Sequence, residues 1–372
     1  MKRLFDRNSL TALPLSERIN KLELERDRIN PDSYSISLSK EAQDDVARAA
    51  DEIRGAKKRG APVVLAFGAH SIKNGLSSVM KRLMEGGWVQ HFATNGAGII
   101  HDWEFSYQGK TGEDVKRYVG EGQFGLWEET GAYLNLALAI GAWRGLGYGE
   151  SVGTMIAEGG LGIPSEAELM EAIGDGAASH AAEKTMLRAA SAADLRALLL
   201  HAGIKEGFLR IDHPWKDQGL AAAAVKQGIP FTAHPMFGHD IIYTHPLNRG
   251  SPIGRGADRD FLSFVDTITR LEGGVYLSVG SAVMSPMIFE KALSMARNVA
   301  RQNEGSINDF SIHVVDLSES AWDWNRDGEP PQDNPAYYLR FCKTFSRMGG
   351  RMSYTSADNR SYLVALLRSL EG

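Results

Sequence analysis

Between Ala61 and Phe105 the chain reads APVVLAFGAHSIKNGLSSVMKRLMEGGWVQHFATNGAGIIHDWEF, short apolar runs alternating with glycine-rich turns and one amphipathic stretch. Pro62 to Phe67 has the length and composition of a strand buried on both faces, as parallel strands are. Gly68 to Gly75 then supplies small residues where a helix must begin close to a ligand backbone. Ile72, Leu76, Val79, Met80 and Leu83 recur at spacings of three and four, which gives that helix a core face. Val89 to Ala93 is the next strand. Asn95-Gly96-Ala97-Gly98 follows as a turn at its carboxyl end, where open α/β sheets bind their ligands. Such a β-α-β unit predicts a doubly wound, mostly parallel α/β sheet with a nucleotide pocket built around Gly68, Ser71, Asn74, Thr94, Asn95, Gly96 and Gly98.

A chain of 372 residues has room for one large α/β domain or two ordinary ones. Its net charge of −5 is mildly acidic, and its Lys and Arg residues are scattered rather than gathered in a basic stripe, which argues against a nucleic-acid partner. The single cysteine, Cys342, excludes an intrachain disulfide and a CxxC metal knuckle. The first residues, MKRLFDRNSLTALPL, carry no apolar signal core, and no run approaches the roughly 18 apolar residues of a membrane span. The expectation is a soluble, cytoplasmic protein.

Residues 1–40 alternate charged and apolar positions around Pro14 and Pro31 and read as an N-terminal arm, with SERINKLELERDRI as a short charged helix. Residues 41–372 read as a single α/β nucleotide-binding domain, because no Pro/Gly/Ser-rich linker divides them. Lys40 to Gly60 is an amphipathic helix closed by basic residues and glycine. Gly109-Lys110-Thr111 lacks the earlier glycine and the preceding strand of a phosphate loop, so it reads as a turn. Trp127 to Trp143 is a long apolar helix, either core or subunit interface. The Ala-rich helices of 150–205 form a layer over the sheet.

A second region of chemical interest, Ile211 to Pro246, contains His213, His234, His239, Asp240 and His245, four of the chain's ten histidines. The spacing does not place ligands on one helix face as H-E-x-x-H does. A metal site and a polar pocket wall of hydrogen-bonded histidines both remain open. Further on, the strand Gly273 to Gly280 ends in Gly280-Ser281-Ala282 before a helix beginning near Ser285-Pro286, repeating the small-residue logic of the first turn. The strand Asp309 to Leu317 ends at Asp316 before SESAWDWNRDGEPPQDNP. There Glu319, Asp323, Asp327 and Glu329 with Trp322 and Trp324 suit a pocket for an amine as well as they suit a solvated loop. A short strand from Arg351, Thr355-Ser356-Ala357-Asp358 near the carboxyl end of that strand, and an amphipathic helix close the chain.

Taken together, F-G-x-x-S-x-x-N-G, A-T-N-G-A-G-I-I-H-D, G-I-P and the P-A-Y-Y-L-R-F-C-K run resemble the deoxyhypusine synthase family. Thr94, Gly98 and Asp102 match its T-T-x-G-G-x-x-x-D turn, and Pro230, Pro235, Asp240 and His245 sit comparably to its later strand. From Pro335 to Lys343 the spacing equals the family's proline-to-lysine spacing, with Phe341 where the family has tryptophan. The resemblance implies NAD as cofactor, Asp102 and Ser281 among its contacts, and a homo-oligomer, dimer or tetramer. It also implies transfer chemistry on a polyamine or related amine through an imine on Lys343, with Asp240 and His245 catalytic and His239, Asp316 and Phe341 facing substrate. Met284-Ser285-Pro286-Met287 stands where the family carries a histidine pair. Two other readings stay open: a hydrolase or lyase centred on His234, His239 and Asp240, metal-assisted or not, and a non-catalytic dinucleotide-binding regulator.

Overall fold

The computed structural model describes residues 4–372. They form two compact units, the first comprising 4–23, Ile99–Val225 and Pro235–Asp260, and the second Leu24–Gly98, Lys226–His234 and Phe261–Gly372. Of the stretch expected as an N-terminal arm, the residues up to Glu23 fall in the first unit and those from Leu24 in the second.

The second unit is an α/β fold around six parallel strands: β1 Val63–Phe67, β2 His91–Thr94, β3 Phe231–Ala233, β4 Val275–Val279, β5 Ser311–Asp316 and β6 Arg351–Ser356. Their order across the sheet is β6-β5-β4-β1-β2-β3. The chain thus begins at the centre, builds outward to one edge, returns to the centre and builds to the other. This is the 3-2-1-4-5-6 order of dinucleotide-binding sheets, with its reversal between β1 and β4, whose residues Leu65 and Leu277 pair.

Burial on both faces explains why these strands read as continuous apolar runs: all five residues of β1 and of β4 are buried. One face carries Val64, Ala66, Tyr276, Ile312 and Val314 against Phe264, Ile268, Phe289, Leu293 and Phe345. The other meets the Lys40–Arg59 helix, which is capped by the Ser39 hydroxyl accepting from Ala42 N–H and closed by Gly60 at φ +70°. His313 of β5 turns to that helix and meets Glu52 at 2.7 Å.

In the first unit the helices Glu128–Arg144 and Tyr148–Glu158 pack together, and a two-stranded antiparallel ribbon joins Gly160–Ile163 to Gly207–Arg210. The N-terminal residues are built in. The Arg18 guanidinium donates to both Glu104 oxygens at 2.8 and 2.7 Å, with both side chains buried, and Thr111 and Thr130 donate to the same carboxylate. The burial of Glu128–Arg144 settles the long apolar helix as core.

Three local expectations are corrected. SERINKLELERDRI is a 3-10 turn at Leu15–Glu17, a two-residue strand at Leu22–Glu23 and a short helix at Leu24–Asp27. The helix after β1 breaks into Ala69–Lys73 and Ser77–Glu85 at Gly75, whose φ is +75° and where a side chain would stand 2.2 Å from the Asp27 carbonyl. Asn95 to Gly98 is no open turn: the helix Gly96–Gln108 starts there at once.

Candidate functional site

At the carboxyl ends of β1 and β4 two glycines let the backbones come together. A Cβ on Gly68 would lie 2.1 Å from the Gly280 carbonyl oxygen, and Gly280 itself has φ +58°. Gly68 N–H donates to Val279 O at 3.2 Å, and Gly280 N–H to Val315 O at 2.9 Å. Beside them the fully buried Ser71 accepts from Asn359 Nδ2 at 3.3 Å, while Asn74 Nδ2 donates to Asn359 Oδ1 at 3.0 Å. Ser281 Oγ accepts from Ser285 N–H at 3.2 Å and so fixes the start of the Met284–Gln302 helix. Gly68, Ser71, Asn74, Gly280 and Ser281, far apart in sequence, therefore converge on the strand-order reversal. Asn359, the residue after the Thr355-Ser356-Ala357-Asp358 cap, is the member that sequence patterning passes over. It is the first residue of the closing helix Asn359–Glu371.

The end of β2 is tied up by its own hydrogen bonds. Thr94 Oγ1 donates to Phe67 O at 3.1 Å, and Asn95 Oδ1 accepts from Gly98 N–H at 2.9 Å. A Cβ on Gly98 would lie 2.2 Å from Thr94 Oγ1, so this glycine is required by packing. Gly96 opens the helix that follows. Asp102 is buried, and its two oxygens accept from Leu220 and Ala221 N–H, each at 2.9 Å. That is a helix N-cap in the first unit, which satisfies two otherwise orphaned donors of the Leu220–Gln227 helix.

Asp240, also in the first unit, carries a carboxyl shifted by its surroundings. Burial lifts its carboxyl from the ordinary 3.8 to about 7. Its Oδ2 and the Tyr243 hydroxyl are both buried without a hydrogen-bond partner among the described residues. The Asp240 charge in turn raises the phenols of Tyr243 and the buried Tyr148, after burial itself. Neither tyrosine was singled out from the sequence, because nothing in its spacing marks a partnerless hydroxyl. His245 accepts from Leu247 N–H through Nδ1 at 3.1 Å, which leaves its Nε2 to donate to Glu128 at 3.3 Å. His239 is exposed.

His234 belongs to the second unit, where Thr232 Oγ1 lies 3.0 Å from both His234 Nε2 and His91 Nε2. Burial lowers both rings to about 3, so they are neutral core histidines. Among the described residues no three His, Cys, Asp or Glu side chains converge as a metal ion would require.

Lys343 lies in the helix Arg340–Ser346, its ammonium 3.7 Å from Glu329 Oε1 and 3.7 Å from the centroid of the Tyr337 ring. Phe341 packs near Tyr354, with ring centroids 6.2 Å apart. Asp316 Oδ1 accepts from Ser318 N–H and Oγ at 3.0 Å each, closing the turn after β5.

No protein-family model matches the chain, and no curated protein does. Among solved structures it is similar to AgrE in complex with ornithine and NAD+, with 15% identity, a TM-score of 0.41, and coverage of 91% of this chain and 34% of that one. It is also similar to ArgZ, an arginine dihydrolase of the ornithine-ammonia cycle in cyanobacteria, with 13% identity, a TM-score of 0.39, and coverage of 88% of this chain and 32% of that one. A conserved LOR/SDH protein from Methanococcus maripaludis S2 matches at 12% identity and a TM-score of 0.42, over 92% of this chain and 74% of that one. The chain thus spans about a third of the length of AgrE and ArgZ. These neighbours correct the deoxyhypusine synthase resemblance: the structures found are enzymes of arginine and ornithine metabolism and a LOR/SDH protein. The polyamine substrate and the Lys343 imine are withdrawn with it. Likeness at these TM-scores transfers no activity to this chain.

Proposed function

We propose that the second unit binds a dinucleotide, NAD, at the reversal of strand order between β1 and β4, and that the protein is an oxidoreductase acting on a small molecule. One observation carries the reading: a six-stranded parallel sheet in the 3-2-1-4-5-6 order has Gly68 and Gly280 in mutual contact at that reversal.

The residues present fit such a cofactor. Side chains at Gly68 and Gly280 would fill or strain the place where backbone must approach a pyrophosphate. Ser71, Asn74 and Asn359 are the uncharged polar side chains gathered beside them, and no carboxylate of this group opposes an anion. The end of β2, where dinucleotide sheets commonly place an acidic residue for the ribose, carries Thr94 and Asn95 instead. Both are engaged locally, by Phe67 O and Gly98 N–H, and neither is a carboxylate that would repel a phosphate, so discrimination against NADP is expected to be weak. When bound, a nicotinamide dinucleotide supplies hydride transfer. This chain's own contribution is to bind and orient it through Gly68, Ser71, Asn74, Gly280 and Asn359.

The test is a thermal-shift panel of the full chain with NAD, NADP, ADP-ribose and zinc. A ligand that binds only the folded state raises the melting temperature. The proposal expects NAD and ADP-ribose to raise it in the millimolar range and zinc to leave it unchanged. A response to zinc alone would overturn it.

A further inference from the structure

The Trp-Asp-Trp segment after β5, which sequence reading offers as an amine pocket, has a different setting in the structure. Trp322, Asp323 and Trp324 share the wall of a cavity of about 340 Å³ with Arg48, Glu52, His313 and Arg351. The cavity lies at the free edge of the sheet, where β6 has no further strand beside it. All of these residues belong to the second unit. The volume is within the range of small-molecule sites.

Its carboxylates already have partners: Asp323 accepts from Arg326 N–H at 3.0 Å and stands 4.0 Å from the Arg326 guanidinium. The His313 ring contacts Glu52 through Nε2 at 2.7 Å and accepts or donates to Ser353 through Nδ1 at 2.9 Å, with Asp45 Oδ1 3.6 Å away. Glu52 and Asp45 are therefore already engaged by the imidazole. The Arg48 guanidinium is half exposed and contacts Asp45 through Nη2. A guanidinium has five donors, so most of those on Arg48 have no protein partner among the described residues. Arg351, also half exposed, contacts Asp309 and Ser311 and stands 3.8 Å from Glu52.

We propose that this cavity is a second ligand site, distinct from the β1–β4 reversal, which takes a small aryl carboxylate. The carboxylate would lie against the guanidiniums of Arg48 and Arg351, which bind such groups in a forked geometry. The ring would pack on the indole of Trp322. That indole is held in place by donating to Gly328 O at 2.9 Å. The wall thus has the aromatic face and cationic rim that an aryl acid requires, and an amine would meet the same two arginines unfavourably.

The experiment is a titration of the full-length protein, followed by tryptophan fluorescence and by calorimetry, with phenylacetate, its neutral isostere phenylacetamide, phenethylamine and inorganic phosphate. Phenylacetate should quench saturably and bind at least tenfold more tightly than the amide, the amine or phosphate. Arg351→Gln and Trp322→Ala, both at positions with some exposure, should each weaken phenylacetate at least fivefold while leaving the NAD-dependent thermal shift as in the wild type. Equal binding of acid and amide would overturn the anionic part of the assignment, and phosphate binding as tightly as phenylacetate would overturn the aromatic part. Unaltered phenylacetate affinity in both variants, with their melting temperatures unchanged, would overturn the location.

Discussion

Asp240 holds a proton near neutral pH because its carboxyl is buried without a full set of partners, and this has a consequence for stability. Its folded pKa of about 7 lies above the ordinary 3.8, so between those values the native state keeps a proton that the unfolded chain has released. Stability must therefore fall as pH rises through that window and level off above it. Asp240→Asn removes the titration. We predict that the variant is more stable than wild type at about pH 8, by on the order of 2–4 kcal/mol at ~1.4 kcal/mol per pKa unit, with the gain vanishing towards about pH 4. Urea denaturation at several pH values checks this, and a gain independent of pH would contradict it. The sequence drew attention to Asp240 through its place among His234, His239 and His245. What makes the carboxyl unusual, the partnerless Oδ2 and the neighbouring Tyr243 hydroxyl, depends on burial that no local pattern encodes. Asn359 was missed for a related reason: its partners Ser71 and Asn74 are 288 and 285 positions away.

Among the elements, the helix Lys40–Arg59 is fastened to β5 and β6 by charge as well as by apolar burial. Asp45 accepts from Thr355 Oγ1 at 2.6 Å and from the Tyr362 hydroxyl at 3.0 Å, and it faces His313. Although burial opposes it, hydrogen bonding to His313 holds the Asp45 carboxyl well below its usual range, and Asp45 and Glu52 raise the His313 imidazole despite its own burial. The signs are opposite. The Asp45 contribution is present above the ordinary carboxyl range and is lost as pH falls through its depressed value. The His313 contribution is complete below the ordinary 6.5 and is lost as pH rises through its raised value. Asp45→Asn should cost about 3 kcal/mol near neutrality, the order seen when one partner of a buried pair is removed, and should flatten the decline of stability at alkaline pH. Arg18→Met should likewise cost about 3 kcal/mol by leaving Glu104 as an uncompensated buried charge in the first unit. Equilibrium unfolding would read both, and a change under 1 kcal/mol at either site would count against the corresponding cluster. The helix Lys40–Arg59 and all six strands are visible in the sequence because periodicity and apolar runs are local. The break at Gly75 and the anchoring of the N-terminal residues are not, since the Asp27 carbonyl and the Glu104 carboxylate that impose them lie elsewhere in the chain.

For the whole molecule, the parallel α/β character follows from the alternation of apolar runs and amphipathic helices, whereas the order of the strands does not. The chain leaves the sheet after β2 and returns at β3 only at Phe231. Of the five crossings between the units, three fall at Gly98, Val225 and Asp260, inside the helices Gly96–Gln108, Leu220–Gln227 and Gly250–Thr269, and the other two follow Glu23 and His234. A crossing inside a helix leaves no Pro/Gly-rich linker for the sequence to show. Assembly into a homo-oligomer remains a proposal, to be decided by light scattering. No helix among the described residues is long and apolar enough to cross a membrane. The central claim concerns the end of the sheet where β1 and β4 meet, and NADH fluorescence titrated against the full-length protein addresses it most directly. The account predicts saturable enhancement for the wild type and at least tenfold weaker binding for Asn359→Asp, which sets a carboxylate beside Ser71 and Asn74 where an anionic cofactor would lie. Wild-type protein that is folded yet gives no enhancement, or an Asn359→Asp variant that binds NADH as tightly as wild type, would contradict it.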